Sequence, residues 1–343
     1  MNVQRLVFAA SLVFAGFIAV SQAALTDSLV GYWSMDSING TVVPDLSGHG
    51  NDGDLKGNPT KIDGKFGKAL LFDGLAKDDF IDVPRNPSIE PPKELSISVW
   101  VNQKDDGLQV TPQNSYGNPC NFIVSKSTMV ETPPYSSYDL QTHVDCGGGE
   151  ANPMIIFQCN VNGTFATPSG CADIKLNEWV HLVATFSSSA GKVRIYWNGV
   201  LAYDQSIGQG ASITYYNTGM RIGAASSVED NSEWPGAIDE VMFFRRAITQ
   251  AEVTELYTNG IKLNPTKIDA IYRQSFKSVN ASKITSADIF KASMMGNSGY
   301  IITDLTGKTI SNRAGAQSMS KGLYLIKSTK TANSAVSKVV IQK

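Results

Sequence analysis

The chain reads as an all-β protein, a jelly-roll sandwich followed by a second, small β-sandwich-like unit. Three observations predict this. From Leu29 onward, short runs of apolar residues recur with period two and almost no helical period. Turn residues break those runs at short intervals, Asn198-Gly199 being the clearest case. Charge then changes sign near residue 260: residues 1–259 hold 16 basic and 28 acidic side chains, whereas 260–343 hold 13 basic and 3 acidic, and all five Trp lie in the acidic part. Two units with different roles follow.

The N-terminal stretch is the first element. Arg5 precedes an unbroken apolar run, Leu6–Val20, which ends in Ser21-Gln22-Ala23. Small residues at both positions place cleavage after Ala23, and residues 1–23 read as a secretory signal. Fifteen residues are too few for the roughly 20 that cross a bilayer. The whole chain, at a net charge of −2 with 30 Gly and 4 Cys, is neither collagen-like nor a cysteine-dense mini-scaffold. Three His (His49, His143, His181) and no C-x-x-C leave little for structural zinc. Export to an oxidising compartment makes two disulfides the expectation for Cys120, Cys146, Cys159 and Cys171. Of three connectivities, Cys159–Cys171 with Cys120–Cys146 is favoured, the first closing a 13-residue loop.

About a dozen strands are expected over 24–259. Ser96–Val101, Val180–Phe186 and Lys192–Asn198 are the clearest; in the last, Val193, Ile195 and Trp197 face one way and Arg194, Tyr196 and Asn198 the other. Asn198-Gly199 makes a tight hairpin before Val200–Tyr203, and Ser187–Gly191 a looser one. Thr249–Thr258 reads as a short helix, with Thr249 as cap and Glu252 completing a capping box.

Several motifs follow in order: Leu29-Val30-Gly31-Tyr32-Trp33-Ser34-Met35-Asp36, Asp45-Leu46-Ser47-Gly48-His49-Gly50-Asn51-Asp52-Gly53 and Gly67-Lys68-Ala69-Leu70-Leu71-Phe72-Asp73-Gly74. Ser96–Val101, Asn177–Phe186, Tyr196–Val200 and Gly236-Ala237-Ile238-Asp239-Glu240-Val241 come after. This series resembles the laminin-G-like, concanavalin-A-like jelly roll over nearly all of 29–259. That fold serves lectins, carbohydrate-binding modules, adhesins and some hydrolases, so the resemblance implies architecture more firmly than activity.

Asp45, Asn51 and Asp52 sit among Gly48, Gly50 and Gly53, an oxygen-rich set suited to a hard cation. It is not an EF-hand, because the twelfth position is Lys56. The other reading is that Asp45 and Asn51 cap turns through the backbone. The resemblance implies a structural Ca²⁺, carried here to Asp45, Asp73 and Asp239 with Asn51.

A sugar site needs aromatic plates and hydrogen-bonding side chains. Loops with such content are Asn114–Asn118 (Tyr116), Pro133–Tyr138 (Tyr135), Thr214–Asn217 (Tyr215, Tyr216) and Ser227–Pro235. The last sets Trp234 among Glu229, Asp230, Asn231 and Glu233. Trp234, Glu233, Asp230, Tyr135 and Tyr116 are therefore the expected ligand contacts, unless Trp234 folds back on the sandwich; Trp33, Trp100, Trp179 and Trp197 are expected in the core. No catalytic residue is expected. Asp239 and Glu240 are adjacent and should point to opposite faces of a strand. The three His read as structural, and Gly147-Gly148-Gly149 lacks the helix and Lys of a phosphate loop.

After a linker, 260–279, the basic tail runs through Gly299–Ile310, Gly322-Leu323-Tyr324-Leu325-Ile326-Lys327 and Ser337–Lys343. Alternating apolar positions predict a small antiparallel unit over 280–343. Its Asp304-x-x-Gly307-Lys308 turn, Gly-Leu-Tyr and Lys338-Val339-Val340-Ile341-Gln342-Lys343 close resemble the C-terminal sorting domain of the type IX secretion system. The resemblance implies that the secretion machinery is a partner and that the protein ends outside the cell or on its surface. The expectation is a non-catalytic carbohydrate-binding or adhesive protein whose partner is a polysaccharide or cell-surface glycan. Alternatives are a polysaccharide hydrolase or lyase, or a structural surface module contacting proteins.

Overall fold

Strand pairing sorts the first part of the chain into two antiparallel sheets, as the period-two runs require. The computed structural model describes residues 25–74, 79–104, 120–128, 134, 136–143, 154–166, 169–171, 176–225, 233–263, 300–304, 323–328 and 338–341. One sheet has eight strands, ordered β15 (Val200–Ser206), β14 (Lys192–Trp197), β13 (Val180–Ser187), β7 (Glu94–Gln103), β17 (Pro235–Phe244), β5 (Lys68–Asp73) and β4 (Thr60–Asp63), with β1 (Leu29–Trp33) also on β17. The other has nine, ordered β11 (Thr164–Ala166), β10 (Met154–Val161), β9 (Ser136–His143), β8 (Cys120–Ser127), β16 (Met220–Ile222), β6 (Phe80–Val83), β3 (Gly53–Lys56) and β2 (Val42–Val43), with β12 (Ser169–Cys171) on β10. Neighbours far apart in sequence, such as β7 beside β17, are what a jelly roll requires.

The core lies between the sheets. Ile97, Val99 and Val101 of β7 and Leu182, Ala184 and Phe186 of β13 share one cluster with Tyr138 and Leu140 of β9, Phe157 of β10 and Ile222 of β16. Such burial is the main favourable term in folding. The hairpin at Asn198-Gly199 forms with both residues at positive φ (46° and 84°), the backbone a tight primed turn demands. A helix, α1 (Gln250–Asn259), follows the sandwich. Its cap Thr249 and Glu252 make the reciprocal bonds of a capping box, so two otherwise orphaned N–H groups are satisfied.

The favoured disulfide is corrected by register. β10 and the segment after it form one hairpin turning at Asn162-Gly163, with Cys159 opposite Ala166 and Cys171 opposite Met154. Five residues along a strand, roughly 16 Å, separate Cys171 from the level of Cys159. A bridge needs Cα atoms within about 7 Å. Cys159 is instead a free thiol buried in the core. Cys120 stands opposite His143, and Cys146 lies outside the described residues, as does the leader over 1–23.

A second unit begins at Asn264. It contains a three-stranded antiparallel sheet of β18 (Tyr300–Asp304), β19 (Leu323–Ser328) and β20 (Lys338–Ile341), in that order. Among the described residues, no helix is long and apolar enough to cross a membrane.

Candidate functional site

Register builds a polar surface that no single strand contains. Asp54 of β3 stands opposite Asp82 of β6; Asp82 opposite Arg221 of β16; Arg221 opposite Ser125 of β8; Ser125 opposite Asp139 of β9; and Asp139 opposite Gln158 of β10. The row crosses six strands, about 24 Å at a spacing of ~4.8 Å. One residue along, the next row is Leu55, Ile81, Ile222, Val124, Leu140 and Phe157. Those six lie in the core or pack against it. Because side chains alternate, the polar row occupies the outer face of the nine-stranded sheet.

The row has an open half and a covered half. The side chains of Asp54 and Asp82 are 47% and 45% exposed, while Ser125 and Asp139 retain 0% and 2%. In the open half the Arg221 guanidinium lies 4.1 Å over the Phe80 ring and donates to Ala225 O at 2.9 Å. Lys56, opposite Phe80, pairs with Asp54, which holds that carboxyl below its usual range. In the covered half the Ser136 hydroxyl donates to Asp139 Oδ2, but Asp139 Oδ1 has no partner. Burial pushes the Asp139 carboxyl up to about 7.

At the end where Lys56 and Phe80 form the last pair, the face meets a cleft of about 230 Å³. Its polar lining is Asn58, Thr60, Asp73, Asp79 and Lys104, with Pro235 beside them. Asn58 N donates to Asp79 Oδ1 at 2.7 Å, tying the start of β6 to the segment after β3.

The outer face of the eight-stranded sheet is closed by contrast. Ile238 and Val241 both enter the core although three residues apart, because β17 is irregular between Asp239 and Met242 and Glu240 has φ of 53°. This β-bulge overturns the expected alternation, leaving both Asp239 and Glu240 off the core. Asp239 and Glu240 keep 0% and 4% exposure, so neither can reach a substrate. The Tyr32 hydroxyl donates to both Glu240 oxygens at 2.8 Å, and Phe66 N donates to Asp239 Oδ2 at 3.0 Å. Burial lifts Asp239 to about 7 and Glu240 well above its ordinary value, with the neighbouring Asp239 charge adding to the latter. Trp100, expected in the core, lies on this outer face, opposite Asp239. It stacks on His181 and Tyr257 at 5.0 and 5.6 Å, with Lys65 Nζ 4.3 Å from its ring.

The calcium ligands do not come together. Asp45 spends both oxygens on backbone: Oδ1 accepts from Tyr32 N and Ser47 N, and Oδ2 from Asn51 N. Asn51 donates to Val30 O and Ser88 Oγ, and its own carbonyl accepts from Trp33 Nε1. Asp73 lines the cleft, and Asp239 lies in the bulge. Among the described residues no three His, Cys, Asp or Glu gather as a metal site. Asp45 and Asn51 tie a turn to β1 instead, and the set does not fit the ion.

Trp234 is likewise corrected. It is fully buried in the core, its N donating to Gly223 O and its Nε1 to Ala237 O, so it cannot serve as a sugar plate. Glu233 is buried beside it, at 6%. Asp230, Tyr135 and Tyr116 lie outside the described residues.

A family profile described as the concanavalin A-like lectin/glucanases superfamily (Laminin_G_3) matches residues 75–254. The chain belongs to this superfamily. No curated protein matches this superfamily member in sequence. Among solved structures, domain 4 of AbnA, an extracellular GH43 arabinanase from Geobacillus stearothermophilus in complex with arabinotriose, is 20% identical, covering 67% of this chain and 98% of that one at a TM-score of 0.43. The ligand-binding domain of botulinum neurotoxin serotype D in complex with N-acetylneuraminic acid is 18% identical, covering 69% and 52%, at 0.49. The binding domain of Paraclostridial Mosquitocidal Protein 1 is 15% identical, covering 93% and 68%, at 0.50. The chain thus spans about half of the botulinum domain. At 15% identity the likeness to the mosquitocidal protein's domain speaks to the fold alone.

Proposed function

We propose that this protein is a non-catalytic glycan-binding or adhesive protein that acts outside the cell and holds carbohydrate on the outer face of its nine-stranded sheet. The polar row from Asp54 to Gln158 carries the reading. Sugar rings are bound by flat apolar or cationic platforms flanked by donors and acceptors. The Phe80–Arg221 pair supplies the platform; Asp54, Asp82 and Lys56 supply the polar contacts.

The same row argues against glycoside hydrolysis. Asp54 and Asp82 are opposite neighbours, but Asp54 is held ionised by Lys56 and offers no proton. Asp139, whose carboxyl burial pushes up to about 7, is three strand steps from Asp82, roughly 14 Å. Paired glycosidase carboxylates stand about 5–10 Å apart.

Arg221→Ala should weaken binding on a glycan array at least tenfold without unfolding the domain. Unchanged binding by both Arg221→Ala and Asp82→Ala moves the site elsewhere. The leader over 1–23 and the sorting-like close of the tail support delivery through type IX secretion. Deleting 280–343 should then strand the protein in the periplasm, and normal surface display would defeat that route.

A further inference from the structure

We propose that Asn39 is a covalent modification site, the residue of the folded chain that deamidates through attack by its neighbour's backbone nitrogen. The inference is independent of the glycan-binding reading.

The chain contains four Asn-Gly pairs: Asn39-Gly40, Asn162-Gly163, Asn198-Gly199 and Asn259-Gly260. Glycine has no Cβ, so its nitrogen can approach the preceding side chain closely. By local sequence the four are equivalent. Two conditions separate them in the fold. The glycine N–H must be free to lose its proton, and the asparagine amide must be free to present its Cγ.

Three pairs fail. Gly163 N donates to Asn160 Oδ1 at 3.0 Å, and Asn162 N donates to Ser212 O at 3.1 Å. Asn198 Oδ1 accepts from His181 N at 2.9 Å, and a Cβ added to Gly199 would lie 3.0 Å from the Tyr257 ring. Gly260 N donates to Leu256 O at 3.0 Å, while Asn259 Nδ2 donates to Glu255 Oε2 at 3.0 Å. The fourth pair is different. Among the described residues, neither the Asn39 side chain nor Gly40 N has a hydrogen-bond partner. Gly40 is exposed with φ of 63°, and a Cβ added there would meet nothing within 4 Å. An isolated bridge closes the turn, Asn39 N donating to Val42 O and Val42 N to Asn39 O. Opening it breaks two hydrogen bonds and leaves Thr41 O tied to Leu55 N, so a small local fluctuation suffices.

The step balances with water alone as co-reactant. Gly40 N gives its proton to solvent base and bonds to Asn39 Cγ. The Cγ–Nδ2 bond breaks, ammonia leaves, and a succinimide ring closes. Water then opens the ring at either carbonyl. Breaking the new N–Cγ bond leaves aspartate; breaking the original C–N bond leaves isoaspartate, with the main chain routed through Cβ and Cγ. Both products carry a new negative charge, and isoaspartate also lengthens the backbone of the turn. Val42 stands opposite Asp54, so the change falls at the β2 edge of the nine-stranded sheet, beside the Asp54 end of the polar row.

The test incubates the full folded chain at mildly alkaline pH and follows each Asn-Gly peptide by mass spectrometry. Asn39 should convert roughly tenfold faster than each of the other three, the order of rate that one retained hydrogen bond commands. In guanidinium the four rates should converge. Asn160→Ala, which frees Gly163 N, should raise the rate at Asn162 and leave that at Asn39 unchanged. Another pair converting as fast as Asn39 in the folded parent overturns the assignment, as does a folded chain that keeps the Asn39 amide while the unfolded chain loses it. If Asn160→Ala does not fold, the rates in the parent decide.

Discussion

Asp139 and Asp239 form a natural comparison across the sandwich. Both sit on outer sheet faces, Asp139 on the nine-stranded sheet and Asp239 on the eight-stranded one, and both are buried. Each has one oxygen satisfied, by the Ser136 hydroxyl or by Phe66 N, and an Oδ1 without a partner. Burial pushes both carboxyls up to about 7. The surroundings differ. Asp139 belongs to a polar row whose far half is open to solvent; Asp239 sits in a bulge beside Glu240, on the face where Trp100, His181 and Tyr257 stack. A perturbed carboxyl is therefore a poor guide to function unless its face offers a ligand somewhere to lie.

The largest expected effect tests whether the eight-stranded face is structural. Trp100 is 2% exposed and contacts His181, Tyr257 and Phe66, joining the sheet to α1 and to the β4–β5 turn. Trp100→Ala should cost about 3–5 kcal/mol, as large buried aromatic deletions do. Denaturant melts would show it, and glycan affinity of the folded fraction should be unchanged. Loss of binding at full stability would make this face the functional one and reverse the comparison. His181 should stay neutral throughout, since burial holds its pKa at about 3.

The pH dependence of stability sharpens the contrast between the two carboxyls. Each folded pKa of about 7 lies above the unfolded value near 4, so each group's contribution is full below about pH 4 and is lost as pH rises toward 7. Asp239→Asn should remove one such slope and stabilise the protein at pH 8 by about 1–3 kcal/mol relative to its parent, with little gain at pH 4. Asp139→Asn should do the same for stability. Only Asp139→Asn should also flatten any change of glycan affinity between pH 5 and 8. A shift of that profile by Asp239→Asn instead would place the ligand on the other sheet.

Much of this architecture was legible because its signals are local. The strands at Ser96–Val101 and Val180–Phe186, the Asn198-Gly199 turn and the Thr249–Glu252 box each depend on a few adjacent residues, and each formed as expected. The polar row was not legible. Each member looks like an ordinary outward position, and only long-range register brings Arg221 between Asp82 and Ser125. The bulge left one trace, two core residues spaced by three, Ile238 and Val241, inside a run of period two. Trp234 misled because its acidic neighbours suggested a solvated loop, whereas β17 begins at the next residue and draws the indole inward. Asn162-Gly163 was the overlooked turn; a hairpin centred there sends Cys171 past Cys159 toward the start of β10.

The smallest effect concerns the open half of the row, where Asp54 and Asp82 face each other across β3 and β6. Directly opposed like charges destabilise a sheet, by a few tenths of a kcal/mol at exposed sites. Against this, Asp54 pairs with Lys56 at the surface, and exposed pairs contribute about 0–1 kcal/mol. The two terms nearly cancel, so Asp54→Asn should leave stability within about 0.5 kcal/mol of the parent. Its effect belongs to recognition: with one of two opposed carboxylates gone and Lys56 released from its pair, the face repels anionic sugars less, and oligouronate binding should rise relative to uncharged oligosaccharides of the same length. A large stability change with no change in ligand preference would mean that this half of the sheet, like its counterpart behind the core, exists to hold the sandwich together.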